Sequence, residues 1–281
     1  MAKEMEATML RLIWQEIKFR RGAIIGWGLG LCFFPLVYIA IYPQVAEQMA
    51  DLADLELYKA LGMSLGTFPD WVGSILIVFM PLVASIYGII NGTGTLAGEE
   101  EDGRLEMIVT LPLPRWQIVI AKAIALAVSS FIMFIVVAAV SWIVFLGIES
   151  QIETDLAGID LFTAVLSAWP VVFAMGMISL FLASFCSSRR IAGVIAAVIL
   201  VVSYFGNNLS NSTDALEPFE PFFLFTYLNP SGQAVMDGQQ ASDMLVLISV
   251  GLIAFALALY FFQQRNLTVG AWPWQRAKVE G

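Results

Sequence analysis

Six stretches of the chain contain no aspartate, glutamate, lysine or arginine: 22–46, 71–98, 123–148, 161–188, 191–213 and 244–264. About 20 mostly apolar residues cross a bilayer core of ~30 Å at ~1.5 Å per residue, and each stretch is longer than that. Hydrocarbon offers the backbone no hydrogen-bond partner, so a spanning segment must pair its own N–H and C=O groups as a helix or close into a barrel. The apolar runs at 75–82, 131–145 and 191–202 show no two-residue alternation, which favours helices. The expected fold is therefore all-α and integral to the membrane, with six transmembrane helices. Composition agrees: 59% of residues are apolar and only 13% charged, against about 45–50% and ~25% in soluble domains. A water-soluble enzyme is nearly excluded.

Orientation follows from the basic residues. Lys3, Arg11, Lys18, Arg20 and Arg21 precede the first span, and Arg104, Arg115 and Lys122 lie between the second and third. Arg189 and Arg190 separate the fourth and fifth, while Arg265, Arg276 and Lys278 follow the sixth. With six crossings all of these share one side and only Lys59 falls on the other, so the positive-inside rule makes the first side cytoplasmic. Both termini are expected there, in a multi-pass protein of the plasma membrane. Acidic residues collect on the opposite side, Asp70, Glu149, Asp160, Glu220 and Asp243 among them, as a solvated outer face. The chain lacks histidine, which removes His-ligated metal sites and Ser-His or Cys-His catalysis together. Two cysteines, Cys32 and Cys186, are expected at different depths and unpaired.

The expected organisation is one transmembrane domain over 1–281. It comprises an interface helix at 1–21, spans at 22–42, 71–92, 121–147, 161–185, 190–206 and 243–263, a cytoplasmic segment at 99–115, an outer segment at 207–242 and a tail at 264–281. Recurring charges before the first span, and an apolar run too long for a signal h-region, argue against a cleaved signal. Met9, Leu10, Ile13, Trp14 and Ile17 form one apolar stripe, with Arg11, Gln15 and Lys18 opposite. Such a helix lies in the membrane interface, steadying the first span or receiving a cytoplasmic partner. Val45, Met49 and Leu52 recur at helical spacing, which predicts a short helix in the first outer loop. The aromatic run between Pro221 and Pro230 is too short to cross and should lie at the outer surface. Pro35, Pro81 and Pro170 fall inside spans and are expected to kink them.

The connection after the second span carries the most information. Glu99, Glu100, Glu101 and Asp102 end the helical extension, and Gly103 breaks it. The stretch 104–111 then forms a short amphipathic helix stopped by Pro112, with Arg115 and Lys122 at entry to the third span. Gly92, Gly94 and Gly98 fit no phosphate-binding fingerprint, and no Walker A motif occurs. Gly94 and Gly98 have the small-xxx-small spacing of close helix packing. Glu99, Glu100 and Arg104 match the E-E-x-x-x-R string of CAAX-type intramembrane proteases, but those require histidines. Consecutive carboxylates on a helix point in different directions, so this cluster is a poor metal site.

Glu99–Glu101, Gly103, Leu105, Glu106, Leu111, Pro114, Arg115 and Lys122 together resemble the loop after the second helix in ABC-2 type transporter permeases. Arg104 departs from that pattern, where Thr or Ser is usual. The amphipathic start, the six spans and the long outer segment before the sixth are similar to that family over essentially the whole chain. The resemblance implies an ABC-2, type V exporter-like transmembrane domain: a half-transporter that pairs with a second permease copy, identical or not. A separate cytoplasmic ABC ATPase would bind ATP and Mg, so this chain is expected to be no enzyme and to hold no cofactor. Coupling to the ATPase falls, by resemblance, on Glu99, Glu100, Glu101, Gly103, Arg104, Leu105, Glu106, Pro114 and Arg115, with Arg11, Trp14 and Lys18 on the interface helix. Besides the ATPase and the second permease, the only expected partner is the bilayer, with no nucleic acid. An ion-gradient-driven transporter or channel is the competing class, and a non-transport assembly protein a third. The absence of ionisable residues from the span centres weighs against the first, and the loop against the second. Ser85, Tyr87, Ser179, Ser203 and Tyr204 are the candidate pathway residues.

Overall fold

The computed structural model describes residues 2–52, 67–98, 114–186, 188–210 and 213–264, which are helical and without strand. Helix α1 (Ala2–Phe19) leads through Arg20 into α2 (Arg21–Leu52). Next come α3 (Phe68–Gly98), α4 (Arg115–Ile148), and the pair α5 (Gly158–Ser167) and α6 (Trp169–Phe185). Helix α7 (Arg189–Ser210) and the short α8 (Gly232–Asp237) precede α9 (Ala241–Gln264). Six candidate spans result, with α5 and α6 forming one of them between Gly158 and Phe185.

Each proline is absorbed in its own way. Helix α2 passes Pro35 and Pro43 without ending and runs to Leu52, so Val45, Met49 and Leu52, expected in a separate short helix, continue the helix of the first span. Pro81 has no N–H for the Ile77 carbonyl and its ring crowds that oxygen. The turns just before it, Gly73–Phe79, are widened to a π-helical form, with the Met80 N–H reaching back to the Ile75 carbonyl. Pro170 occupies the first turn of α6, and the break between α5 and α6 falls at Ala168.

Helix α3 and the α5–α6 span form the core. Of their most apolar windows 72% and 67% of residues are buried, against 28% for both α2 and α9. Apolar side chains do not drive association inside lipid, so close packing decides the arrangement, and small residues permit it. A side-chain carbon added at Gly92 would lie 2.7 Å from Ser179 Cβ and 2.8 Å from the Gly176 carbonyl oxygen; at Gly88 it would lie 3.2 Å from Gly176 N. The α3–α6 crossing thus rests on Gly88, Gly92 and Gly176. Gly94 and Gly98, the pair expected to pack helices, instead face the Arg189 side chain, at 3.3 and 3.1 Å. Helix α2 turns Ile25, Leu29, Phe33 and Leu36 outward, where lipid would meet them. Cys32 and Cys186 are both buried.

The acidic end of the bundle is closed by 213–240. Asp70 Oδ1 accepts the Gly232 N–H at 2.7 Å, and Gly73 sits directly against the Pro230 carbonyl. Ser203 Oγ accepts the Leu224 N–H at 3.1 Å, and Thr226 Oγ1 donates to Asn207 Oδ1 at 2.8 Å. Tyr204 meets Phe225 edge-on at 5.4 Å. The aromatic run is therefore tied down as two 3-10 turns, Asp214–Phe222 and Leu224–Tyr227.

Candidate functional site

At the opposite, basic end three helices meet through charge. Lys122 lies seven residues after Arg115, the first residue of α4, so about 10 Å along that helix. Its side chain is 1% exposed, and Nζ donates to Glu16 Oε1 of α1 at 2.9 Å. One turn on, Arg20 approaches the same carboxylate at 3.8 Å and donates from Nη2 to Thr95 Oγ1 of α3 at 3.2 Å. Thr95 Oγ1 donates in turn to the Asn91 carbonyl, and Asn91 Nδ2 to the Tyr87 carbonyl at 3.0 Å. Helix α1 is thereby fixed to the last turns of α3 and the first turns of α4. Those are the two helices that flank 99–113.

The local sequence explains the arrangement. Ile13, Glu16, Ile17 and Arg20 recur at helical spacing and are all partly or fully buried. The packed face of α1 is therefore centred on Glu16, rotated from the purely apolar stripe. Leu10 and Trp14, both 67% exposed, and Phe19 at 75% point away from the bundle. Arg20 bridges α1 and α2 with its backbone: its N–H reaches the Glu16 and Ile17 carbonyls, and its own carbonyl accepts from Ile24. A buried ion pair contributes little net stability against its desolvation, yet removing one partner costs about 3–5 kcal/mol. Such a clamp acts mainly as a link that ties α1 to both α3 and α4.

Of the residues singled out from the sequence, Arg11, Trp14 and Lys18 are exposed on α1. Pro114 is the exposed N-cap of α4, and Arg115 is half-buried in its first turn. Glu99, Glu100, Glu101, Gly103, Arg104, Leu105 and Glu106 lie outside the described residues. The candidate pathway residues are all buried. Ser85 and Ser179 donate within their own helices, to the Pro81 carbonyl at 2.8 Å and the Met175 carbonyl at 2.7 Å. Tyr87 packs edge-on to Trp27 at 6.1 Å, and Ser203 and Tyr204 anchor the outer segment as described above. The structure does not bring the five together as one lining.

Sequence reading missed Glu16, Arg20 and Thr95. A carboxylate inside an otherwise apolar helical stripe, together with a lone lysine inside an apolar run, was the available signal for Glu16 and Lys122. Among the described residues no cluster of three metal-ligating side chains occurs. A family model described as ABC-2 family transporter protein matches residues 10–267, taking in α1 from Leu10 onward and all six spans. No curated protein matches the chain.

Proposed function

The chain belongs to the ABC-2 family of transporter proteins, and from that premise we propose that it is the permease subunit of an exporter driven by a separate ATPase. The membrane character and the permease family are the ground; ATP-driven export, the ATPase and a second permease copy are the reading built on it. One observation carries it: Glu16 pairs with Lys122 of α4 while Arg20, from the same turn, holds Thr95 of α3. A partner that presses on α1 and on 99–115 would push two rigid helices at once. Closure of an ATPase dimer is a rigid-body input of that kind.

In this reading the basic end faces the cytoplasm of a plasma-membrane protein, and both termini lie there. ATP and Mg are bound by the partner, so the chain itself catalyses nothing and holds no cofactor. Glu99–Glu101, Gly103, Glu106 and Arg115 meet the ATPase; Trp14 and Arg11 extend the contact along α1. The buried state of Cys32 and Cys186 makes a direct test practical. A cysteine placed at Gly103 should cross-link to an ATPase subunit in native membranes, whereas one at Asp237, at the opposite end, should not. Equal labelling at both positions, or none at 103, contradicts the proposal.

A further inference from the structure

Between α1, α3 and α7 lies a cleft of about 180 Å³ that the clamp does not fill. Its polar wall is made by Glu16, Arg20, Asn91, Thr95 and Arg189, beside Gly94. Its mouth carries two apolar side chains, Phe19 and Ile90, which are 75% and 45% exposed. Arg20 and Arg189 stand in this wall with Glu16, whose carboxylate also holds Lys122. Arg20 is 8% exposed, and only its Nη2 is spoken for by Thr95. Its Nη1 has no hydrogen-bond partner among the described residues. A buried guanidinium nitrogen without an acceptor is costly, so its persistence at the wall of a cleft points to a ligand oxygen.

The geometry points to a binding site for a phosphate group, with the exposed apolar mouth favouring one carried by an amphiphile of the leaflet at the basic end. Guanidinium groups match phosphate oxygens with paired N–H donors. The amide of Asn91, which gives one of its two protons to the Tyr87 carbonyl, stands within the same wall. Gly94 lets the Arg189 guanidinium stand close against α3 at the cleft: a side-chain carbon there would lie 3.3 Å from it. Phe19 and Ile90 then offer the acyl chain an apolar ledge continuous with the lipid-facing surface. The site depends on the membrane placement of the chain and on no ATPase partner. A phosphate seated against Arg20 would also set the strength of the Glu16–Arg20 contact, and so the hold of α1 on α3.

The test uses the purified full chain in detergent, with short-chain dioctanoyl phosphatidic acid as probe. Dioctanoylglycerol and inorganic phosphate are tried separately as competitors. Phosphatidic acid should bind, and dioctanoylglycerol, which lacks the phosphate, should not displace it. Gly94→Leu and Arg20→Gln should each weaken binding by about tenfold or more, the loss of a charge-assisted contact or of the space itself. Gly94→Leu leaves the Glu16–Lys122 pair in place, so it keeps the test valid where Arg20→Gln fails to fold. If inorganic phosphate displaces the lipid at matched concentration, the site is one for free phosphate; if it does not, the phosphate is lipid-borne. Displacement by dioctanoylglycerol as effective as by unlabelled phosphatidic acid, or unchanged affinity in a folded Gly94→Leu protein, overturns the site.

Discussion

Glu16→Gln keeps the shape of the side chain and removes the charge that Lys122 and Arg20 share. Lys122 is 1% exposed, and its carboxylate partner sits at 2.9 Å with only 14% of its side chain exposed. Removing one member of such a pair leaves a desolvated cation facing a neutral amide. Buried pairs broken in this way lose about 3–5 kcal/mol, and the partial exposure of Glu16 puts the expected loss at about 3 kcal/mol. The companion variant Lys122→Met removes the other charge and keeps the aliphatic stem. Together the two changes delete the pair rather than set one charge against a neutral side chain, so the double variant should be less destabilised than the sum of the singles by about 2 kcal/mol. Unfolding titrations in mixed micelles, followed by the fluorescence of the eight tryptophans, measure all four proteins of the cycle. Glu16→Gln within about 0.5 kcal/mol of the parent, with strictly additive effects, refutes the clamp.

Four further outcomes turn on particular residues. Gly92→Ala should cost about 1–3 kcal/mol, because the new carbon meets Ser179 Cβ and the Gly176 carbonyl below 3 Å. Gly26→Ala, with nothing within 4 Å, should be neutral or slightly stabilising in the same unfolding assay. Asp70→Ala removes the acceptor of the Gly232 N–H and should loosen 213–240, seen as faster amide exchange there while the basic end is unchanged. Replacing Gly103 and Glu106 should leave ATP turnover by the reconstituted complex running while transport falls. Transport that survives both changes removes the lever from the account.

The spans were legible because crossing a bilayer forbids charge over some twenty residues, and that constraint is local in sequence. Their interruptions were partly so. Pro81 and Pro170 announced irregularity, but whether a proline widens a turn, splits a helix or passes unnoticed depends on its neighbours, as Pro43 within α2 shows. The choice between Gly88/Gly92 and Gly94/Gly98 was not open to sequence reasoning. Both pairs have the same spacing, and only the facing helix decides which pair packs on Gly176 and which makes room for Arg189. The clamp was hidden for a similar reason. Glu16 and Lys122 are 106 positions apart, and each alone reads as a charge at the edge of an apolar segment. Helical periodicity put Arg11 and Lys18 on the polar side of α1, where they are exposed; Trp14, read as part of the apolar stripe, is exposed as well because the packed face is centred on Glu16.

Affinity purification of the tagged chain in mild detergent, from cells that express its natural neighbours, tests the central claim most directly. An ATPase of the ABC type should come with it in stoichiometric amount and be lost when Glu99–Glu101 are neutralised or Arg115 is replaced. A clean, folded and stable chain with no such companion would contradict the account and turn attention to gradient-driven flux in vesicles.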